Sequence, residues 1–110
     1  MSDVVLALTT VPADFDAGQL AQDVVGAGLA ACVTIVPGIR SVYMWNGVPR
    51  VDEEQQLFIK TTADHIDILW ETLRGHHPYD TPEFLVLPVV DGSDEYLRWV
   101  GSSVGPRPES

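Results

Sequence analysis

The segments Val4-Val5-Leu6-Ala7-Leu8, Leu57-Phe58-Ile59 and Phe84-Leu85-Val86-Leu87 decide the fold, because each is apolar at consecutive positions. Successive side chains of a β-strand point to opposite faces of the sheet, so strands built from these segments present apolar groups on both faces. The chain contains three modest amphipathic helical patterns, which is enough helix to cover one face. We therefore expect other copies of the same chain to cover the second face.

The length and composition are typical of one globular domain that buries a hydrophobic core. Of the 110 residues, 45% are hydrophobic and 20% are charged, close to globular averages. Sixteen Asp and Glu against six Lys and Arg give a formal net charge of -10. An acidic body repels phosphate backbones, so nucleic acid is not an expected partner.

The expected compartment is the cytoplasm. No segment approaches the roughly 20 apolar residues that a membrane-crossing helix needs, so no membrane partner is expected. Met1-Ser2-Asp3 has no basic stretch, and the apolar run after it is too short for a signal peptide. The single cysteine excludes an internal disulfide.

The periodicity predicts the order β-α-β-β-α-β followed by a short third helix. The predicted strands cover about 3–10, 29–45, 48–61 and 83–90. The predicted helices begin near Asp14, Asp64 and Ser93. Gly28 is the predicted left-handed terminator of the first helix, and Gly75, after Arg74, is predicted to end the second. This is the split βαβ, or ferredoxin-like, arrangement of an α+β domain, with strands one and three central.

A long hairpin is predicted to join strands two and three. Asn46-Gly47 is a strong turn signal. A straight strand over 29–45 would measure about 56 Å at about 3.3 Å per residue, whereas a globule of this size is about 34 Å across. Pro37-Gly38 is therefore predicted to mark a bulge or bend, and its proline favours an edge strand.

The domain is predicted to span residues 1–103, with a flexible tail at 104–110 and fraying from Gly101 onward. The segment from Gly101 is small, polar and rich in proline. Nothing in it continues the apolar helical pattern of Tyr96, Leu97, Trp99 and Val100.

Several stretches of the chain, taken together and in order, carry a family resemblance. They are Leu29-Ala30-Ala31-Cys32-Val33, Pro37-Gly38-Ile39, Tyr43 with Trp45 and Gly47, Ile59-Lys60-Thr61, His77-Pro78-Tyr79 with Pro82-Glu83, and Tyr96-Leu97 with Trp99. Over about residues 3–103 the chain resembles the CutA divalent-cation-tolerance family.

The resemblance implies a ferredoxin-like subunit in a compact homotrimer similar to PII signalling proteins. It also implies binding of copper or another divalent cation and a cytoplasmic location, without a settled chemical activity. The chain departs from the family pattern at three positions. Thr9 stands where some members have cysteine, Thr34 where many have asparagine, and Asp80 where many have glutamate.

His76, His77 and Cys32 are the candidate metal ligands, because imidazole and thiolate bind copper well. Adjacent residues in extended backbone point to opposite sides, so one ion needs a turn or groups from a neighbouring subunit. The alternatives are a surface His76, a His77 that organises its loop by hydrogen bonds, and a Cys32 packed in the core. A Cys32–His77 hydrolase pair is disfavoured because no local signature surrounds the cysteine, and we predict no enzyme.

Lys60, Tyr79, Asp80, Glu83 and Trp45 are the candidate residues of a cleft between subunits. Lys60, the only lysine, is expected to pair with Glu83 or Asp80, or else to bind an anion. Trp45 at the hairpin tip is the predicted anchor on a neighbour. The acidic run Asp52-Glu53-Glu54 is expected to be a solvated face.

Two functions follow from this sequence. The first is a cytoplasmic homotrimer that binds a divalent cation, preferably copper, in metal tolerance. The second is a PII-like trimer that binds a small metabolite in its inter-subunit clefts and acts on an unknown partner protein. The acidic charge and the lack of a glycine-rich phosphate loop weigh against an anionic metabolite. A mainly structural trimer is a third possibility.

Overall fold

The computed structural model describes residues 3–106 and arranges four strands as one antiparallel sheet. The strands are β1 (Val4–Pro12), β2 (Cys32–Trp45), β3 (Val48–Thr62) and β4 (Leu85–Pro88), in the spatial order β2-β3-β1-β4. The predicted central strands β1 and β3 are central, and β2 and β4 are the edges. The predicted ferredoxin-like α+β order is therefore confirmed, although β2 and β4 begin later than predicted.

The three helices are α1 (Ala17–Gly26), α2 (Ile66–His76) and α3 (Asp94–Ser103). Asp16, not the predicted Asp14, caps α1, because its Oδ1 accepts a hydrogen bond from the Gln19 N–H at 3.0 Å. Ser93 caps α3 as predicted, accepting from the Tyr96 N–H. Gly28 has the predicted left-handed backbone, with φ +76°.

The boundaries of α2 differ from prediction at both ends. A 3₁₀ turn at Ala63–His65 takes up the predicted start at Asp64, so the α-helix begins at Ile66. The helix then continues through Gly75 to His76, so the predicted end at Gly75 is wrong. A glycine inside a helix costs about 1 kcal/mol relative to alanine but does not break it.

The β2–β3 hairpin has the predicted turn and the predicted bulge. Asn46 and Gly47 both have positive φ (51° and 78°), as a two-residue hairpin turn with matching twist requires. The register shifts between Val36 and Ile39, where Pro37-Gly38 forms the bulge. The hairpin strands β2 and β3 have 14 and 15 residues, against 9 in β1 and 4 in β4, and the molecule measures 43 × 27 × 23 Å.

One face of the sheet, here called the covered face, packs against α1 and α2. Its central residues are Ala7 and Val11 of β1 with Leu57 and Ile59 of β3, all essentially inaccessible to water. They join a single cluster with apolar residues of the two helices, Leu20, Val24, Leu69 and Leu73. Removing this surface from water is the main stabilising term of the fold.

The opposite face, here called the open face, carries the other residues of the same strands. They are Leu6 and Leu8, with Phe58 and Lys60, Cys32, Thr34 and Val36, and Leu85 and Leu87. Helix α3 lies over one end, where Val100 packs with Val4 and Ala31. Elsewhere Leu85 and Leu87 remain 54% and 46% exposed and Val36 37%. The expectation that one chain leaves an apolar face uncovered is thus met.

The C-terminal segment is held by hydrogen bonds as far as Gly105, to Gly28 after α1 and to His65 in the 3₁₀ turn. Gly101 to Ser103 belong to α3 rather than to the predicted frayed segment. The Gly105 N–H donates to the Gly28 carbonyl at 2.8 Å, and its own carbonyl lies 3.0 Å from His65 Nε2. Residues 107–110 of the predicted tail lie outside the described residues. No helix within residues 3–106 is long and apolar enough to span a lipid bilayer.

Candidate functional site

A pocket of about 530 Å³ lies between the hairpin and the loop that follows α2. The hairpin contributes Ser41, Tyr43, Trp45, Asp52 and Glu54, β1 contributes Thr10, and the loop contributes Pro78, Tyr79, Asp80, Thr81 and Glu83. Four of the five predicted cleft residues, Trp45, Tyr79, Asp80 and Glu83, therefore line one concavity of a single chain. Lys60 is not among the lining residues.

Glu54 is the buried carboxylate of this pocket. Its side chain is only 5% exposed and accepts a hydrogen bond from the Tyr79 hydroxyl at 2.7 Å. Burial, followed by this hydrogen bond to Glu54, raises the pKa of Tyr79 well above its ordinary value of 10, so the phenol stays protonated. The expectation of a solvated acidic run is therefore wrong for Glu54, whose position opposite Pro12 on β1 places it inside the sheet.

Both ring nitrogens of His77 form hydrogen bonds within the chain. Its Nε2 lies 2.7 Å from the Thr10 carbonyl, which can only accept, so Nε2 carries the proton. Its Nδ1 then accepts from the Tyr79 N–H at 3.1 Å. Burial lowers the pKa of His77, which favours this neutral form. The geometry supports the alternative in which His77 organises its loop.

His76 is oriented differently, although it is adjacent in sequence. It is the exposed last residue of α2, and its Nδ1 lies 2.8 Å from the Thr72 carbonyl one turn earlier. The proton therefore sits on Nδ1, and Nε2 keeps an available lone pair. Of the two adjacent imidazoles, His76 is the one suited to bind a metal ion.

Cys32 and Lys60 form a second polar cluster on the open face, under α3. They are cross-strand partners, with Lys60 Nζ 3.8 Å from Cys32 Sγ and 3.3 Å from Thr34 Oγ1. The ammonium also lies 6.0 Å from the centroid of the Tyr96 ring. The alternative in which Cys32 packs in the core is not met within one chain, because its side chain is only partly buried there.

Within one chain Lys60 does not pair with Glu83 or Asp80, because those carboxylates line the pocket and its ammonium contacts Cys32 and Thr34 instead. A pairing between chains stays a prediction. Gln56 Nε2 is the group that lies 3.3 Å from Glu83 Oε2.

One chain does not bring its candidate metal ligands together. His77 contacts the backbone of Thr10, which pairs with Gln56, whereas Cys32 pairs with Lys60 four residues along β3. That separation is about 13 Å at 3.3 Å per residue, which also excludes a Cys32–His77 catalytic pair within one chain. Residues 3–106 contain no group of three or more His, Cys, Asp or Glu side chains placed to hold one metal ion.

Comparison with known proteins identifies one family. A family described as CutA1 divalent ion tolerance protein matches residues 5–103. The divalent-cation tolerance protein CutA of Yersinia pestis (strain Pestoides F) is 45% identical over 103 residues, covering 94% of this chain and 87% of the relative.

Solved structures of the same family share the fold. A divalent cation tolerance protein (Cut A1) from Thermus thermophilus superposes with a TM-score of 0.89 at 40% identity, covering 93% of this chain and 99% of that one. A PII-like protein CutA from Nostoc sp. PCC 7120 superposes with a TM-score of 0.84 at 29% identity, covering 92% and 97%.

Proposed function

Because this chain belongs to the CutA1 divalent ion tolerance family, we propose that it acts in metal tolerance as a cytoplasmic homotrimer that binds copper between its subunits. Family membership supports a role in divalent-cation tolerance. What we add as a proposal is that the cation is copper, that the assembly is a trimer and that the protein is cytoplasmic. The observation that carries the proposal is the apolar open face, which one chain leaves in contact with water.

The open face supports self-association because its exposed and partly exposed apolar residues are contiguous across the sheet. Leu85 and Leu87 on β4 lie beside Leu8 and Leu6 on β1, which lie beside Phe58 and Lys60 on β3. Contiguous apolar surface of this kind is typical of subunit interfaces. A closed assembly of identical chains covers the same face on each copy, so it removes every such surface at once.

The donor groups of one chain support a cation site that is completed by a neighbour. His76 offers one available imidazole nitrogen, and imidazole suits copper. The described residues of one chain supply no group of three donors, so a multidentate site needs side chains from more than one copy. The net charge of -10 raises the local concentration of any cation.

The proposed cytoplasmic location is compatible with the cysteine content, because a chain whose one cysteine is Cys32 forms no internal disulfide.

Titration calorimetry with copper(II), combined with mass measurement by sedimentation, tests this proposal. His76→Gln removes the available imidazole, and we expect it to weaken copper binding at least tenfold, since a coordinating ligand is lost. Arg74→Gln changes another exposed residue in the last turn of α2 and should bind copper like the wild type. Equal copper affinity in the wild type and His76→Gln would contradict the assignment of His76.

A PII-like signalling role is the second candidate function, and it is favoured by the match to the PII-like protein CutA from Nostoc. The corresponding ligand would be a small anion, and Lys60 would be the cation on the open face that contacts it. Calorimetry of ATP against the wild type and Lys60→Ala tests this role. Binding of ATP that disappears in Lys60→Ala, without copper binding by the wild type, would favour signalling over cation binding.

A further inference from the structure

The pocket between the β2–β3 hairpin and the loop after α2 combines aromatic faces with negative charge. Its aromatic walls are Tyr43 and Trp45 on the hairpin and Tyr79 on the loop. By strand alternation Tyr43 lies on the open-face side, and Trp45 is the predicted anchor on a neighbour, so in the proposed trimer this pocket lies at a boundary between subunits. Its carboxylates are Asp52, Glu54, Asp80 and Glu83. No Lys, Arg or His lines it within the described part of the chain. Arg50, which pairs with Tyr43 across the hairpin, is exposed and is not a lining residue.

The carboxylates are too dispersed to chelate one metal ion. A hard divalent cation needs several oxygen ligands that converge on one point at about 2.0–2.6 Å. Over residues 3–106, no three His, Cys, Asp or Glu side chains converge in that way. The carboxylates are instead distributed along the pocket, on both the hairpin and the loop. This arrangement is complementary to a ligand that carries several positive charges at separate positions.

We propose that this pocket binds a linear, protonated di- or triamine. Each ammonium group donates charge-assisted hydrogen bonds to a carboxylate. Ammonium groups and the methylenes next to them also pack favourably on aromatic faces. The volume of about 530 Å³ falls within the 300–1,000 Å³ range of small-molecule sites. This ligand class goes beyond the metal-tolerance function proposed above.

Two hydrogen bonds hold the pocket walls before any ligand enters. The Tyr79 hydroxyl donates to Glu54 at 2.7 Å, and the Tyr43 hydroxyl donates to Asp52 at 2.6 Å. Each carboxylate accepts several hydrogen bonds, so both keep capacity for an ammonium group. The Tyr79 ring is held by its bond to the buried Glu54, so little ordering of that side chain remains to oppose binding, whereas the Tyr43–Asp52 pair is exposed.

Calorimetry of the metal-free protein with spermidine, in buffer containing EDTA and about 0.15 M salt, tests the proposal separately from copper binding. Glu83→Gln removes one exposed pocket carboxylate, and we expect it to raise the Kd for spermidine roughly tenfold. Glu53→Gln is the matched control, since Glu53 is exposed and points to the opposite face of β3. It makes the same charge change and should leave the Kd within about twofold.

Competition identifies the feature of the ligand that the pocket recognises. Tetramethylammonium has no N–H group and carries one charge, so a large excess should displace little spermidine. Magnesium at the same concentration as spermidine should also displace little. The proposal is overturned if spermidine does not bind at millimolar concentration, if Glu83→Gln and Glu53→Gln weaken binding equally, or if magnesium displaces spermidine at matched concentration.

Discussion

The covered and open faces of the sheet are built from the same strands, yet they have different solvent exposure. On β3, Leu57 faces the helices and is 1% exposed, while its neighbour Phe58 faces the open side and is half-buried. On β4, the open-face residues Leu85 and Leu87 are about half exposed. Both faces are apolar, but α1 and α2 cover one of them and the short α3 covers only an end of the other.

This difference shows that a strand can carry apolar residues that no other part of the same chain covers and that pack only in an assembly. A sheet with one wet face normally alternates apolar and polar residues. Here Leu6 and Leu8 on β1 and Leu85 and Leu87 on β4 break that alternation on the face that α1 and α2 do not cover. The pattern is explained if a second copy is the missing layer, which is the basis of the proposed trimer.

The largest expected effect comes from placing a charge on the open face. Leu87→Asp buries an unpaired carboxylate in any assembly that covers this face, so we expect the assembly to dissociate. Val25→Asp is the control, since Val25 on α1 is 40% exposed, close to the 46% of Leu87. Sedimentation should show a monomer for Leu87→Asp and an unchanged mass for Val25→Asp. Equal masses for both variants would mean that the open face is not the interface.

On the covered face, truncation of the core should lower stability without changing assembly. Leu57→Ala removes a side chain that is packed among Ile59, Leu69 and Leu73. We expect a loss of about 2–5 kcal/mol in the free energy of unfolding, because the transfer and cavity terms add. Urea denaturation at fixed protein concentration measures the loss. A loss below about 1 kcal/mol would contradict the packing described for this face.

At the pocket end of the sheet, loss of one hydroxyl should have an intermediate effect. Tyr79→Phe removes the donor to the buried Glu54 carboxylate, and we expect a loss of about 1–3 kcal/mol of stability. Tyr43→Phe removes the same group from an exposed pair with Asp52 and should change stability little. Urea denaturation of the two variants provides the comparison, and equal losses would show that burial of Glu54 has no energetic role.

The smallest expected effect is a pH dependence that arises at His77. Burial lowers its pKa in the folded chain below the ordinary 6.5, so the unfolded chain takes up the proton first. Stability from the neutral ring is fully present above pH 6.5 and declines as the pH falls toward the lowered pKa.

Urea denaturation between pH 8 and pH 5 measures this decline. His77→Gln should flatten the profile between pH 6.5 and the lowered pKa. A wild-type slope in His77→Gln would place the titration elsewhere.

The architecture of the domain could be predicted because its signals are local. Asn46-Gly47 specifies the hairpin turn, Pro37-Gly38 specifies the bulge, and consecutive apolar residues specify strands with two apolar faces. Local cues were less reliable at helix ends. Asp14 and Asp16 both suit an N-cap, and only the path of the chain selects Asp16. Gly75 was expected to end α2, but one glycine is tolerated within a helix.

The contacts of the candidate site could not be predicted, because they depend on register and loop path. Without a bulge, counting back from the Trp45–Val48 pair places Thr61 opposite Cys32. The bulge at Pro37-Gly38 shifts the register by one and brings Lys60 there instead. A one-residue shift changes which side chains share a face. The contact of His77 with Thr10 depends on a loop that no periodic signal describes.

Sedimentation of the wild-type protein tests the central claim most directly. The claim is that the open face is covered by identical chains, and the mass of one chain is 12.0 kDa. At micromolar concentration and about 0.15 M salt, we expect one species of three chains, about 36 kDa, that Leu87→Asp abolishes. A single species of the wild type at the mass of one chain would contradict the account.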